Sequence, residues 1–339
     1  NRDSSLRLVG SEMCIRDRFN PGKIVRAPRM DDRSLFRFKP DYQVKSLKTV
    51  LDWSEWGGFG AAVEMCNNNG ACRKANVGVM CPSYRVTGDE QHLTRGRANT
   101  LRLAISGQLG ADAFVSDAMY DTLELCVGCK GCKRECPTGV DMAKMKVEFL
   151  HHYHQHHRRS LKDRMIAYLP RYAPLAARFS FFLNLRDRVT LLAGLSDKLL
   201  GLSARRSLPQ WRTDQFDERV EVAAGTAGDK GEVVLLVDTF NRYFEPDNAR
   251  AAQAVLVAAG YRVQLLQSRD GERPLCCGRT FLATGMVEQA RTEARRMLDT
   301  LKPFVERGVP IIGLEPSCLL TLRDEFQSLL PGEDTTLLA

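Results

Sequence analysis

The sequence predicts an α+β multidomain protein in which an all-helical, cysteine-rich domain precedes an α/β domain built on a parallel sheet. Three observations carry this. Residues 43–150 hold two dense cysteine groups separated by Leu93–Gln108 and Ala111–Leu125, whose apolar residues recur every three or four positions, the period of a helix. Beyond residue 231, short apolar runs alternate with helical patterns, as in Val233–Val237, Asn248–Ala259 and Arg262–Leu266. Finally, 339 residues with 44% hydrophobic and 27% charged side chains have the length for two or three domains and the balance of a soluble globular chain, which excludes a disordered or membrane-integral one.

From the N-terminus, Asn1 to Arg18 has no periodicity that continues past residue 18. It reads as a non-native or disordered leader, and Cys14 is set aside with it. Residues 19–50 open with a Pro-, Arg- and Asp-rich stretch to Tyr42 that suits an extended connector lying on another domain. The helical domain occupies residues 51–150. Residues 151–222 form a basic arm, with 12 Lys and Arg against three Asp between 151 and 212. Pro170, Pro174 and Pro209 are expected to cut it into short amphipathic helices at Asp163–Leu169, Leu175–Leu185 and Val189–Leu200. Its charge suits a solvated face, a docking surface for an acidic neighbouring domain, or anionic lipid; without interleaved aromatic residues, nucleic acid is not an expected partner.

A joint at Ala223–Gly231 leads into the α/β domain at 231–330. Strands are expected at Val233–Val237, Arg262–Leu266 and Pro310–Leu314. The helix from Val287 should end at Leu301, ahead of Pro303, and a last helix should span Leu319–Leu330. Residues 331–339 show no closing element, which suggests a larger parent protein. Apolar runs such as Phe179–Leu185 fall well short of the ~20 residues a spanning helix needs, so no transmembrane segment is expected.

The 11 cysteines fall in tight groups rather than evenly, which points to metal instead of a disulfide scaffold. Cys126-Val-Gly-Cys129-Lys-Gly-Cys132-Lys-Arg-Glu-Cys136-Pro137 is the run C-x2-C-x2-C-x3-C-P. In that run three close thiolates wrap one cubane and the fourth ligates the other cluster of a two-cluster, ferredoxin-like module. Zinc competes poorly, because its cysteine pairs come from separate knuckles. The earlier group, Cys66-Asn-Asn-Asn69-Gly-Ala-Cys72 and then Cys81-Pro82, follows the same run loosely with Asn69 in place of the second cysteine. Crossed ligation would assign Cys126, Cys129, Cys132 and Cys81 to a complete 4Fe-4S cluster, and Cys66, Cys72 and Cys136 to one with an irregular corner. Either Asn69, water or a distant side chain fills that corner, or its iron is lost to give 3Fe-4S, or Asn69 is a turn residue whose amide caps the loop. A single cluster on the second motif alone is the remaining option. Gly70, Gly128 and Gly131 let backbone N–H groups approach cluster sulfides, while Lys130, Lys133 and Arg134 either add to that field or form a solvent-facing cationic rim.

Pro274-Leu-Cys276-Cys277-Gly278 and Glu315-Pro-Ser-Cys318 sit in loops of the α/β layer where they would converge. Cys318 is expected in the first turn of the last helix, whose exposed N–H groups favour a thiolate. Such a trio fits a metal site, a redox thiol set or a cofactor contact, and equally three inert core cysteines. His151, His152, His154, His156 and His157 lie on the helix leaving the cysteine-rich domain. His152 and His156 share a face, yet no Glu or Asp falls within the run, so a solvated, partly cationic helix face is expected. No catalytic residue is identified.

Together with Ile24-Val-Arg-Ala-Pro-Arg-Met-Asp-Asp-Arg33 and Arg95-Gly-Arg-Ala98, these motifs resemble the C-terminal half of bacterial FAD-linked D-2-hydroxyacid dehydrogenases, particularly of D-2-hydroxyglutarate type, from Phe19 to about Leu330. The ferredoxin-like and CCG motifs are also similar to the iron-sulfur subunits of glycolate oxidase, D-lactate dehydrogenase and anaerobic glycerol-3-phosphate dehydrogenase, and to heterodisulfide reductase-like proteins. The resemblance implies an upstream FAD-bearing domain that takes hydride from the substrate, residues 19–50 being the connector from it. It implies 4Fe-4S clusters that pass the electrons on, and a CCG domain in which Cys276, Cys277 and Cys318 contact a cofactor. The acceptor would be a quinone or a redox protein, reached from the cytoplasm or from a peripheral position at the inner membrane. The chain would then be part of an oxidoreductase and inactive on substrate by itself. Competing readings are a non-enzymatic module whose clusters only hold a fold, and a thiol-disulfide reductase using the three later cysteines. Two features depart from the pattern: Asp238-Thr-Phe240 stands where the first cysteine of the CCG motif is expected, and a second CCG repeat is absent from the chain.

Overall fold

The computed structural model describes residues 27–29, 32, 42–74, 78–218, 229–268 and 273–339. The leader at 1–18 with Cys14, most of the connector and most of the joint at Ala223–Gly231 lie outside the described residues. The chain divides into two compact units, Asn1–Lys45 and Ser46–Ala339, and the described helices and strands lie in the second.

Six helices surround the cysteine loops: α1 (Phe59–Glu64), α2 (Pro82–Thr87), α3 (Thr94–Ile105), α4 (Asp117–Glu124), α5 (Gly131–Glu135) and α6 (Met142–His156). The two long ones, α3 and α6, bury Ala98, Leu101, Met145 and Phe149. Edge-to-face contacts run from Trp53 to Phe59, Phe114 and Phe149 with centroids 5.1, 5.9 and 5.9 Å apart, giving this small core a rigid aromatic spine. Glu148 of α6 is fully buried and accepts hydrogen bonds from the backbone of Val50 (2.8 Å) and Leu51 (3.0 Å) and from the Trp53 indole (3.0 Å), which ties the incoming chain to the helix.

The histidine run is not a solvated face. Only His156 is exposed; His152 approaches Glu148 at 3.1 Å, one turn back on α6 and just outside the run, and His157 stacks on Tyr153 at 4.1 Å. Helix α6 crosses the aromatic spine, and that crossing covers the residues the sequence pattern leaves open.

The arm also differs from expectation. Helix α7 (Leu161–Arg178) runs uninterrupted through Pro170 and Pro174, and α8 (Ser180–Arg188) and α9 (Thr190–Leu200) come after it. Each proline removes one helical hydrogen bond. Packing outweighs that loss, because Ala167, Pro170, Ala173 and Ala177 form a buried stripe and Thr280 donates to the Ala167 carbonyl at 2.9 Å.

The C-terminal part contains β1 (Glu232–Leu236), α10 (Thr239–Tyr243), α11 (Pro246–Ala258), β2 (Arg262–Leu265), α12 (Arg279–Ala283), α13 (Val287–Val305) and β3 (Ile311–Gly313). It closes with α14 (Pro316–Arg323), α15 (Glu325–Leu329) and α16 (Glu333–Leu338). The strands form one parallel sheet of order β2-β1-β3, with Val234 opposite Gln264 on one side and Ile311 on the other. Residues Val233 to Leu236 of the central strand are all buried, as a strand covered on both faces requires. The chain is thus α+β, mostly helical with a small parallel sheet. Pro303 sits inside α13 rather than ending it, close enough to the C-terminus that one lost bond is tolerated. The expected last helix is two, α14 and α15, and α16 follows them where no helix is expected.

The cysteine-rich part and the sheet-bearing part touch directly. A Cβ at Gly285 would lie 2.7 Å from Leu150 of α6, so only glycine permits the approach, and Asp52 N–H donates to the Ser328 carbonyl at 3.0 Å. No described helix is long and apolar enough to cross a membrane.

Candidate metal centre

Cys81 and the second cysteine run come together. A small cavity of about 20 Å³ is lined by Cys81, Cys126, Cys129 and Cys132, with Arg97, Lys130 and Met142 among its other walls. Local structure explains how. Cys81 caps the N-terminus of α2, whose first residue is Pro82. Cys126 ends the α4 turn, and Cys132 lies in α5, which begins after Lys130 in a left-handed conformation (φ 58°). Lys146 of α6 donates to the carbonyls of Glu124 (2.8 Å) and Cys126 (2.7 Å), fixing the loop at Cys126 to the helical core.

Among the described residues, no three His, Cys, Asp or Glu side chains are arranged around a single metal ion. A cubane asks for something else, since each thiolate binds its own iron and the ligands stand around the group. Four cysteines lining one cavity suit that demand. The site's electrostatics are mixed. Burial pushes the Cys81 thiol up, but the Ser83 hydroxyl, the Arg97 guanidinium and the Tyr84 backbone N–H outweigh it and hold the thiol below its ordinary value. Cys132 is pushed up to about 12, by burial first, with Asp141, Cys126 and Cys129 adding to it against the Met142 N–H.

The remaining members of the two groups are Cys66, Cys72 and Cys136. Cys72 sits in a 3-10 turn at Ala71–Arg73, its thiol raised by burial and by the neighbouring Cys66. Helix α5, which ends at Cys136, packs against that turn. Cys136 accepts from the Thr138 hydroxyl (3.2 Å) and from the N–H groups of Val140, Thr138 and Gly139, which overcome burial and lower its thiol. Asn69 is exposed and locally engaged, donating to Asn67 Oδ1 at 2.5 Å and accepting from Ala71 N–H at 2.8 Å. Its amide therefore caps the loop, an Asx-type turn.

Helix α3 contributes residues that the motif reading passes over. Arg97 is 1% exposed; its Nη1 donates to Cys81 Sγ (3.6 Å), Nη2 to Ser83 Oγ (3.0 Å) and Nε to the Thr122 carbonyl (2.9 Å). Arg102 donates to the carbonyls of Glu64 (2.9 Å) and Cys66 (3.1 Å), and the Arg95 N–H reaches Cys72 sulfur. A Cβ at Gly96 would fall 1.9 Å from the Glu90 carbonyl, so Gly96 is what lets α3 start so close to the 3-10 turn at Glu90–His92. The available signal was the presence of two arginines, 97 and 102, on the apolar face of an amphipathic helix.

Lys130 and Lys133 are not a solvent-facing rim; Arg134 alone of the three is exposed. Lys130 Nζ lies 2.5 Å from Asp324 and 3.2 Å from Glu325, and Lys133 Nζ lies 2.8 Å from Asp324. Arg279, next to the vicinal cysteine motif, pairs with Glu325 and donates to the Gly128 carbonyl at 2.9 Å. The junction of α14 and α15 is thereby latched to the Cys126–Cys132 loop.

Cys277 stands between Cys276 and Cys318 and interacts with both, and all three are buried. The contact with Cys276 lowers the Cys277 thiol, yet Cys318 and full burial outweigh it; Cys276 is raised by Cys277 and burial. Cys318 is in the first turn of α14, though two further helices come after it. Asp238 caps α10, its Oδ1 accepting from Phe240 N–H (2.8 Å) and Asn241 N–H (3.1 Å), an ordinary N-cap where the CCG pattern would place cysteine.

Residues 62–140 match the family model of the 4Fe-4S dicluster domain, which indicates 4Fe-4S clusters. Among curated proteins, the chain is 26% identical to D-2-hydroxyglutarate dehydrogenase of Escherichia coli K12 over 99% of its own length and 37% of the relative's. It is 26% identical to D-2-hydroxyglutarate dehydrogenase of Pseudomonas putida over 84% of the chain and 32% of the relative, and 27% identical to a subunit of the anaerobic glycerol-3-phosphate dehydrogenase of Escherichia coli K12 over 51% and 43%. The chain thus spans about a third of the length of its D-2-hydroxyglutarate dehydrogenase relatives. No solved structure matches. The chain is similar to the iron-sulfur portion of such dehydrogenases, as its motifs led us to expect.

Proposed function

We propose that the chain is the electron-transfer portion of an FAD-dependent D-2-hydroxyacid dehydrogenase, with D-2-hydroxyglutarate as the favoured substrate of the parent enzyme. The observation that carries this is the cavity in which Cys81 joins Cys126, Cys129 and Cys132, because two-cluster modules draw the fourth ligand of each cluster from the other motif. Cys66, Cys72 and Cys136 would hold the second cluster. Bound there, such clusters supply one-electron transfer between a flavin and an acceptor. The chain's own residues keep the ligands in place: Lys146 and Arg102 hold the loop carbonyls, and the Thr138 hydroxyl with the N–H groups of residues 138–140 receives the Cys136 thiolate.

In this reading residues 51–150 are a ferredoxin-like domain, 151–222 an arm and 231–330 a CCG domain, with the flavin domain of the parent protein as partner. The parent would work in the cytoplasm or against the inner membrane and deliver its electrons to a quinone or redox protein. A thiol-disulfide reductase at Cys276, Cys277 and Cys318 is less well supported, because that chemistry needs a thiolate and burial disfavours one there.

Anaerobic purification with iron analysis and EPR tests the proposal. About seven to eight irons per chain are expected, the content of one complete and one regular or irregular cluster. D-2-Hydroxyglutarate should reduce them only when the flavin-bearing portion of a relative is added. Substrate oxidation by the chain alone, or clusters that cannot be reduced at any accessible potential, would overturn it.

A further inference from the structure

We infer that Arg97 is the fixed counter-charge of the cluster held by Cys81, Cys126, Cys129 and Cys132, and that it raises the reduction potential of that cluster above what its ligands alone would set. The inference rests on the ligand assignment above and adds a positioning and tuning residue to it. Arg97 is 1% exposed, and a guanidinium cannot escape burial by losing its proton. Its hydrogen bonds go to a carbonyl, a hydroxyl and the Cys81 sulfur, and among the described residues no Asp or Glu forms an ion pair with it.

Three arginines elsewhere in the fold are ion-paired. Arg171 pairs with Glu293, Arg242 with Glu218 and Arg279 with Glu325. A buried charge lacking a counter-charge is expensive, and an anion in the adjoining cavity would offset that cost. Four thiolates on an iron-sulfur cubane provide one. Reduction adds a further negative charge to that group, and attraction to a nearby cation grows with the charge it faces. Arg97 therefore favours the reduced state more than the oxidised state. Its fork is oriented for this by the Thr122 carbonyl and Ser83 hydroxyl, which leave Nη1 directed at Cys81.

The test is a dye-mediated redox titration of the anaerobically purified full chain, monitored by EPR, beside iron analysis. Arg97→Gln should retain its iron and shift the one-electron equilibrium of this cluster toward the oxidised form by about tenfold or more, a fall of ~59 mV or more. The cluster of Cys66, Cys72 and Cys136 should move far less. Arg97→Lys, which keeps the charge without the fork, should fall by about threefold. Should Arg97→Gln fail to hold its iron, the lysine variant decides. A midpoint equal to that of the parent sequence in every variant that retains iron would overturn the inference. Absence of iron from the unsubstituted chain would instead overturn the ligand assignment, and the iron count shows this before any titration begins.

Discussion

Asp324 offers a direct test of how the sheet-bearing part controls the cluster loop. Its carboxylate receives the ammonium groups of Lys130 at 2.5 Å and Lys133 at 2.8 Å, and the three side chains retain 29%, 21% and 35% of their exposure. Exposed pairs contribute about 0 to 1 kcal/mol, whereas breaking a buried pair costs about 3 to 5. Discounted for the solvent that still reaches these groups, Asp324→Asn should cost about 2 kcal/mol. That is ~30-fold in the equilibrium between latched and opened loop. Burial pushes the Asp324 carboxyl up, but Lys130 and Lys133 outweigh it and hold it below the usual carboxylate range. The sign is set by that direction: the stabilisation is fully present above the ordinary aspartate value of 3.8 and is lost as pH falls through the lower folded value. The assay is iron release to a chelator at about pH 7, which should accelerate about 30-fold in the variant if release passes through local opening of the loop. Urea unfolding gives the equilibrium figure. A cycle of Asp324→Asn with Lys130→Met measures the coupling itself, and a coupling within ~0.5 kcal/mol of zero would refute the latch.

Cys81→Ser and Cys126→Ser should remove the same EPR signal and about four irons each, while Cys136→Ser removes the other signal; loss of one common signal by Cys81→Ser and Cys136→Ser would exclude crossed ligation. With the Asn69 amide engaged by Asn67 and Ala71, the second cluster is expected as 3Fe-4S, and Asn69→Cys should convert it to 4Fe-4S; an unaltered spectrum means that another residue ligates there. Glu148→Ala strands the N–H groups of Val50, Leu51 and Trp53 at about 1 to 3 kcal/mol each, enough to unfold the helical core at room temperature by circular dichroism. Burial raises the Glu148 carboxyl, but His152, Trp53 and the two backbone donors lower it overall, so its contribution should persist at neutral pH and fade only below pH 4.5.

Ligand chemistry is written in local spacing, which is why the cysteine runs could be read without a structure. Strand and helix alternation is also local, and the three strands fall within a residue or two of their expected bounds. What the pattern misplaced depends on tertiary contact. Pro170 and Pro174 punctuate a sequence, but α7 keeps its course because an alanine stripe is buried along it. The histidine run reads as polar, yet the aromatic spine crosses α6 there and encloses most of it. Lys130 and Lys133 look solvated because their partner lies 191 or more residues away. Arg97 has the same difficulty, since its worth comes from a cavity assembled by three segments.

Cysteine stands in two different electrostatic surroundings in this chain. Around the first cavity, a buried guanidinium, hydroxyls and backbone N–H groups face Cys81, and similar donors face Cys136, so these thiols give up their protons at a lower pH than an isolated cysteine. Cys132 does not share that advantage; its thiol is raised by burial and by Asp141. At the later trio the field is reversed. Cys276 and Cys277 face each other and Cys318, and the charge acting on Cys276 from outside the trio is that of Glu293, a carboxylate. Two thiols there would have to ionise against burial and against one another. Arg279 makes the contrast mechanical as well as electrostatic, because it comes directly after Gly278 in sequence yet spends its charge on Glu325 and its hydrogen bond on Gly128. The cation nearest in sequence to the vicinal cysteines thus serves the Gly128 loop, while the trio receives only backbone N–H donors, Gly278 on Cys276 at 3.3 Å and Arg279 on Cys277, which burial and the neighbouring thiols outweigh.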